Sequence, residues 1–320
     1  MMAFVLGTDE AGYGPNLGPL CIAASAWQVP DDCPSDGLYD RLALVVAAQL
    51  EEGCTKLKIA DSKVLYKAGG KLELLERGVL VALACLDRLP RRWRDIWSAL
   101  DGESVRQIDG LPWHDDFDEP LPLHVTLEEV AAAAQAVVAG CQTAIVKIVD
   151  LQSAILFPAA FNQAVKGCDN KAEVLSLTTL RLARRVLETL PAGRAVVFCD
   201  KHGGRTYYAA LLQHIFPDEL VIVRLEKADL AVYDVKHGGR QIEFRFQPKG
   251  ERHLPTALAS MTAKYLRELA MRPFNAFWQR HLPELRPTAG YPTDAVRFYS
   301  DIQPVRRKLK IAPHLVWRKR

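Results

Sequence analysis

Apolar and polar positions along the chain fall into short blocks that predict a sheet interleaved with helices. Phe4-Val5-Leu6 and Leu20 to Ala26 are apolar runs separated by Gly12, Gly14, Pro15, Gly18 and Pro19. That pattern reads as strand, tight loop, strand. Val29 to Gly37 is a Pro/Asp loop. Leu38 to Leu50 has helical apolar spacing and is expected to pack on the sheet, and Lys71 to Leu89 continues as an amphipathic helix. The β-branched run Thr143 to Val149 predicts a strand. Phe161-Asn162 follows, then Asn170 to Leu190 as a long amphipathic helix stopped at Pro191-Ala192-Gly193. Ala195 to Asp200 predicts a buried strand that ends in a carboxylate. Tyr207 to Ile215 reads as helix, Leu220 to Leu225 as strand, and Ala231 to Val235 with Gln241 to Phe246 as a hairpin. Leu254 to Met271 is helical. Beyond it come Phe274 to His281, a Pro-broken turn, and Ala289-Gly290-Tyr291-Pro292-Thr293.

Residues 91–140 interrupt this alternation and read as an insertion or small subdomain at about 90–140. Arg91, Arg92, Trp93, Arg94 and Trp97 suit either a surface that stacks on a nucleic-acid strand or a surface helix with two buried tryptophans. Leu111 to Pro122 is an acidic, Pro-rich loop with His114, Asp115, Asp116, Asp118 and Glu119. It reads as a metal-binding cluster or as a solvated loop. Leu127 to Ala139 is an Ala-rich helix.

Composition narrows the class. With 320 residues, 49% apolar and 25% charged, the chain is ordinary for a globular protein. A net charge of +3 says little, but Arg306, Arg307, Lys308, Lys310, Arg318, Lys319 and Arg320 form a basic C-terminal tail. Such a tail is either a phosphate contact or a solubilising end. Seven cysteines without CxxC spacing argue for reduced thiols in a cytoplasmic protein, against a zinc site or a disulfide frame. No apolar stretch is long enough to cross a membrane, and no secretion signal is legible at the N-terminus.

Candidate chemistry sits at the strand ends. Asp9 and Glu10 follow the first apolar run closely, and Asp200 ends a later one. Acids ending buried strands are costly unless compensated, and hard carboxylate oxygens suit Mg²⁺ or Mn²⁺. If the two strands are neighbours, their ends place the carboxylates side by side. The alternative for Asp9-Glu10 is a solvated acidic turn. Lys-His-Gly-Gly-Arg occurs at both 201–205 and 236–240. Glycine amides flanked by Lys and Arg suit phosphate, and the first copy adjoins Asp200.

Asp9-Glu10-Ala11-Gly12-Tyr13-Gly14-Pro15, with Leu17-Gly18-Pro19 behind it, resembles the signature loop of the type 2 ribonucleases H (ribonucleases HII and HIII). Asp61-Ser62-Lys63-Val64-Leu65 resembles the Asp-Ser-Lys-Lys-Leu element of that family, although Asp61 also suits a helix N-cap. Ser260-Met261-Thr262-Ala263-Lys264-Tyr265-Leu266-Arg267-Glu268 resembles its Ser-Ile-Ile-Ala-Lys-Val-Thr-Arg-Asp segment, with Glu in the acid's place as in ribonuclease HIII. Ala289 to Thr293 resembles its Gly-Tyr-x-Thr element. The chain departs at Tyr13, where the family has Arg, and at Val296, where it has His.

The resemblance implies a ribonuclease H-like α/β fold, a mixed central sheet with helices on both faces, in one domain. It implies a metal-dependent endonuclease hydrolysing the RNA strand of RNA–DNA hybrids to 3′-OH and 5′-phosphate ends; a cytoplasmic monomer is expected apart from it. Asp9, Glu10, Asp200 and Glu268 would be catalytic and bind two Mg²⁺ or Mn²⁺ ions about 4 Å apart. Asp229 and Asp234 are spare acids. Gly12, Tyr13, Gly14, Lys63, Lys201, Arg205, Ser260, Lys264 and Tyr291 would contact the nucleic acid. The alternatives are a non-catalytic nucleic-acid-binding protein on the same fold, or a nuclease with a different nucleic-acid substrate.

Overall fold

Glycine at position 7 decides how the two layers of this molecule meet. In the computed structural model, which describes residues 2–49, 53–66, 71–168 and 170–319, a Cβ on Gly7 would lie 2.1 Å from the Thr256 backbone nitrogen. Only a residue without a side chain lets a helix cross a strand so closely. That strand is β1 (Met2–Ala11), paired with β2 (Leu20–Pro30).

The chain then runs through α1 (Leu38–Arg41), β3 (Val46–Ala47), β4 (Leu57–Lys58), α2 (Ser62–Leu65), α3 (Glu73–Cys85), α4 (Trp93–Leu100), α5 (Ser104–Ile108) and α6 (Leu127–Ala144). β5 (Lys147–Leu156), α7 (Pro158–Lys166), α8 (Lys171–Thr189), β6 (Arg194–Asp200), α9 (Ala209–Ile215), β7 (Val221–Glu226), β8 (Ala231–His237) and β9 (Arg240–Gln247) follow. A 3₁₀ turn, Gly250–Arg252, leads into α10 (Leu254–His281), then α11 (Pro292–Lys308) and α12 (Pro313–Val316).

Seven strands form one sheet in the order β5-β2-β1-β6-β9-β8-β7. The β1–β6 and β6–β9 pairs are parallel and the others antiparallel, so the sheet is mixed as expected. Alternation along each strand separates two cores. Val5, Cys21, Ala23, Trp27, Val196 and Phe198 face α10 and the segment from α3 to α6. Phe4, Leu6, Leu20, Ile22, Ala195 and Val197 face α8 and α9. Helices therefore cover both faces.

Several predicted elements have other bounds. The 38–50 helix ends at Arg41, because Val46 is buried in an extended pair with Leu57 while Leu44 is 79% exposed. Leu50 lies outside the described residues. The 71–89 helix is the shorter Glu73–Cys85. The strand placed at 143–149 begins at Lys147. Thr143 still belongs to α6, with its hydroxyl donating to Ala139 O (3.1 Å), and Ile145 ends the helix in the left-handed conformation. The 254–271 helix continues past Pro273 to His281, since Phe274, Phe277 and Trp278 prolong its buried stripe.

Residues 91–140 pack on α10 and α3. Trp93 and Trp97 are fully buried, and Trp93 Nε1 donates to Leu269 O (2.9 Å), so neither ring is available to stack on a base. His114 is buried, Asp118 pairs with Arg92, and Glu119 accepts from Arg272 (2.6 Å), so the 111–122 loop is solvated only in part, at Asp115 and Asp116, and among the described residues its side chains form no metal cluster. The buried Glu76 carboxylate accepts from Leu123 N (2.8 Å), His124 N (2.6 Å), Val125 N (3.2 Å) and Tyr265 OH (2.7 Å), tying this segment to α3 and α10.

The basic tail is largely structured. Arg306, Arg307 and Lys308 form the last turn of α11, and Arg306 and Arg318 are buried. Arg320 lies outside the described residues.

Candidate active site

Parallel pairing of β1 with β6 sets Thr8 opposite Cys199. The next residue on each strand is an acid, so Asp9 and Asp200 stand side by side at the carboxyl ends of neighbouring parallel strands, where α/β sheets tend to place ligand sites. β9 runs parallel on the other side of β6, with Asp200 opposite Gln247. The turn after β9 brings two more groups in. Gly250 N donates to Asp200 Oδ1 (3.2 Å), and Glu251, 9% exposed, faces Lys63 Nζ across 3.6 Å. Lys63 is held by α2, whose N-cap Asp61 accepts from Lys63 N (2.9 Å). Ser62 and Ser260 share a hydrogen bond of 3.0 Å, and Ser260 also bonds Asp9, so α10 braces the acids from below.

The electrostatics follow from crowding in a dry place. Burial, then repulsion by Glu10, Glu251 and Asp200, holds the Asp9 carboxyl well above the usual range despite the Ser260 hydrogen bond. Burial, then Asp200, pushes Glu10 up to about 7, against the pull of Lys63. Asp200 and Glu251 are raised as well, burial first in both. Lys63 answers: burial lowers its pKa, but Glu251, Asp61, Asp9 and Asp200 outweigh that and raise it.

Glu268 is not in this group. Eight positions separate it from Ser260 on α10, about 12 Å along the axis. Its carboxylate accepts from Lys264 Nζ (2.5 Å) and Tyr66 OH (3.1 Å). The acid beside Asp9, Glu10 and Asp200 is Glu251, which the sequence reading passed over. A signal existed: Glu251 closely follows the apolar strand Gln241 to Phe246, as Asp9 and Asp200 close theirs.

A cleft of about 680 Å³ opens from this point. Glu10, Gly12, Tyr13, Gly14, Lys63, Lys264, Glu268 and Tyr291 line it, and Ser260 lies beneath. Arg205 lies elsewhere, in a shallower depression with Gly203 and Gly204, and Tyr13 borders both cavities with Lys171 Nζ 4.7 Å from its ring. Lys201 turns away and donates to Ala228 O (2.7 Å). The second Lys-His-Gly-Gly-Arg copy is the β8–β9 hairpin, and its Arg240 is spent on the Leu190 and Pro191 carbonyls. Asp234 pairs with Arg224 (3.2 Å), and Asp229 is exposed.

The glycine-rich loop is held from behind. Buried Arg267 donates to Pro19 O (2.6 Å), Leu17 O (3.1 Å) and Ala289 O (2.8 Å), joining it to the loop that carries Tyr291. Burial, then Arg267, pushes Arg318 down to about 9.

Among the described residues, no three His, Cys, Asp or Glu side chains are arranged to hold a metal ion as they stand. The donor set nevertheless fits a hard divalent cation: four carboxylates, largely buried, with Lys63 as the neighbouring cation. Among the described residues, no helix is long and apolar enough to cross a membrane.

No protein-family model and no curated protein matches the chain. Solved structures do. The ribonuclease HII of Archaeoglobus fulgidus, solved as a complex with PCNA, is 14% identical with a TM-score of 0.42, over 100% of this chain and 95% of that one. The ribonuclease H2 of Pyrococcus horikoshii OT3 is 13% identical with a TM-score of 0.40, over 98% and 92%. Bst-RNase HIII in complex with Mn²⁺ is 12% identical with a TM-score of 0.41, over 99% of this chain and 66% of that one. These three structures, to which the chain is similar along its length, are of ribonucleases HII, H2 and HIII.

Proposed function

We propose that this protein is a metal-dependent endoribonuclease that cuts the RNA strand of RNA–DNA hybrids, leaving 3′-OH and 5′-phosphate ends. The observation that carries the reading is the pairing of Asp9 and Asp200 at adjacent parallel strand ends, with Glu10 and Glu251 drawn in around them. Clustered carboxylates repel a phosphate backbone, so they serve a nucleic-acid site only when cations join the two. Asp9, Glu10, Asp200 and Glu251 would hold Mg²⁺ or Mn²⁺. Such ions, when bound, activate water and stabilise a departing oxygen. The ribonuclease HIII structure with Mn²⁺ is in keeping with this.

The chain's own groups supply the rest. Ser260 orients Asp9, and the Gly250 amide orients Asp200. Lys63 balances the acids before substrate arrives and offers its charge to a phosphate. Gly12 and Gly14 keep the loop open to a sugar–phosphate backbone and its 2′-OH, the group that distinguishes RNA from DNA. Tyr291, 52% exposed at the cleft, offers a flat face to a sugar.

The test is one assay with four labelled substrates: hybrid, RNA duplex, DNA duplex and DNA with one embedded ribonucleotide, each with Mg²⁺ or Mn²⁺. Preferential cutting of the hybrid's RNA strand supports the reading. Preference for another substrate reassigns it, and tight binding without product turns it into a binding protein.

A further inference from the structure

Arg318 is joined to a loop 306 positions away in sequence. Its guanidinium donates to Gly12 O and Pro15 O, its backbone N–H donates to Asn16 O (2.8 Å), and neighbouring Trp317 makes a bridge with Leu17. The side chain is 1% exposed and lies over the Phe161 ring at 4.8 Å. Asn162 of α7 grips the segment on both sides of Arg318, donating to Trp317 O (2.8 Å) and accepting from Lys319 N (2.7 Å).

This is an expensive way to fill space. Arg318 Nε and Nη1 are buried without hydrogen-bond partners, and an apolar side chain would avoid that cost. What an apolar side chain cannot do is fix two carbonyls. A peptide is planar and trans, so its C=O and N–H point in opposite directions. Drawing Gly12 O toward Arg318 therefore fixes the direction of the Tyr13 N–H, on the loop that lines the cleft next to Glu10.

We propose that Arg318 is a positioning residue that locks the Gly12–Tyr13 peptide from behind the loop, so that the loop meets the substrate's sugar–phosphate backbone in one orientation. The inference rests on the nuclease reading for its substrate, but not for the lock itself. Arg318 acts through the loop and touches no reacting group.

Three variants test it: Arg318→Met, which keeps the apolar stem, Arg318→Lys, which keeps one cationic donor, and Asn162→Ala, which loosens the segment's grip. Two readouts separate positioning from general stability. Amide hydrogen exchange across residues 12–17 is compared with that of α10, and kcat and KM for hybrid are measured separately. In Arg318→Met, exchange rises in the loop and not in α10, and kcat falls by about 10²-fold, the loss a small misplacement causes, with KM changed far less. Arg318→Lys recovers part of both, and Asn162→Ala shifts both in the same direction as Arg318→Met. Unchanged loop exchange, equal loosening of loop and α10, or a loosened loop with wild-type kcat overturns the assignment. A wild-type protein that cuts no hybrid overturns the nuclease reading, while loop exchange still decides whether Arg318 holds the loop.

Discussion

Lys63 Nζ and Glu251 Oε1 face each other across 3.6 Å at the carboxyl end of the sheet. That relationship places Glu251 among the acids and leaves Glu268 outside, bound to Lys264 and Tyr66. Glu251→Gln should lower hybrid cleavage by at least about 10–100-fold, the loss attached even to outer-shell partners of a metal. Glu268→Gln should cost less, chiefly in KM, because Glu268 lines the cleft farther along. Steady-state kinetics of the two variants checks this. Equal losses would bring Glu268 back among the metal-binding candidates.

Gly7 should tolerate no side chain. A Cβ there meets Thr256 N at 2.1 Å and Pro255 C at 2.3 Å, and both are backbone atoms that cannot rotate away. Gly7→Ala should cost about 1–3 kcal/mol or more, as overpacking does, and it should disturb the site, because β1 carries Asp9 and α10 carries Ser260. Urea unfolding measures the stability, and the midpoint should fall with little change in slope.

Acid should destabilise the fold through two buried imidazoles. Burial pushes His202 and His114 each from 6.5 down to about 3. A depressed folded pKa gives stability that is complete above 6.5 and is lost as pH falls toward 3. Each ring should cost about 1.4 kcal/mol per pH unit inside that window. The raised acids work the other way, since Glu10, at 4.5 unfolded and about 7 folded, favours the native state as pH falls. The informative quantity is therefore a difference: from pH 6 to pH 5, the stability of His202→Gln relative to wild type should rise by about that amount for one ring.

Much of the framework was legible because Asp9 and Asp200 each stand at the end of an apolar run. Phe4 to Leu6 runs into Asp9, and Ala195 to Cys199 runs into Asp200, so position along the strand was visible. Strand adjacency was a conditional guess that the β1–β6 register fulfils. Glu251 escaped because a turn stands between it and its strand, and its place depends on Gly250 bonding to Asp200. Glu268 follows Ser260 by eight positions on one helix, about 12 Å along its axis, so the predicted 254–271 helix already placed it farther along the cleft. Arg318 was invisible for another reason: in sequence it is one of a run of basic residues near the chain end, and only tertiary packing turns it inward. Trp93 and Trp97 suit either a stacking surface or two buried rings in sequence, and their burial favours the second.

The proposed nuclease requires Asp9 and Asp200 to share one metal-dependent hydrolytic site. Cleavage of a labelled RNA–DNA hybrid by wild type and by an Asp9→Asn, Asp200→Asn double variant, each with Mg²⁺, Mn²⁺ or EDTA, tests it most directly. Wild type should cut the RNA strand with a divalent cation and stop in EDTA, and the double variant, still folded, should yield no product with either ion. Full metal-dependent cleavage by the double variant, or a wild type that yields no product with either ion, would contradict it.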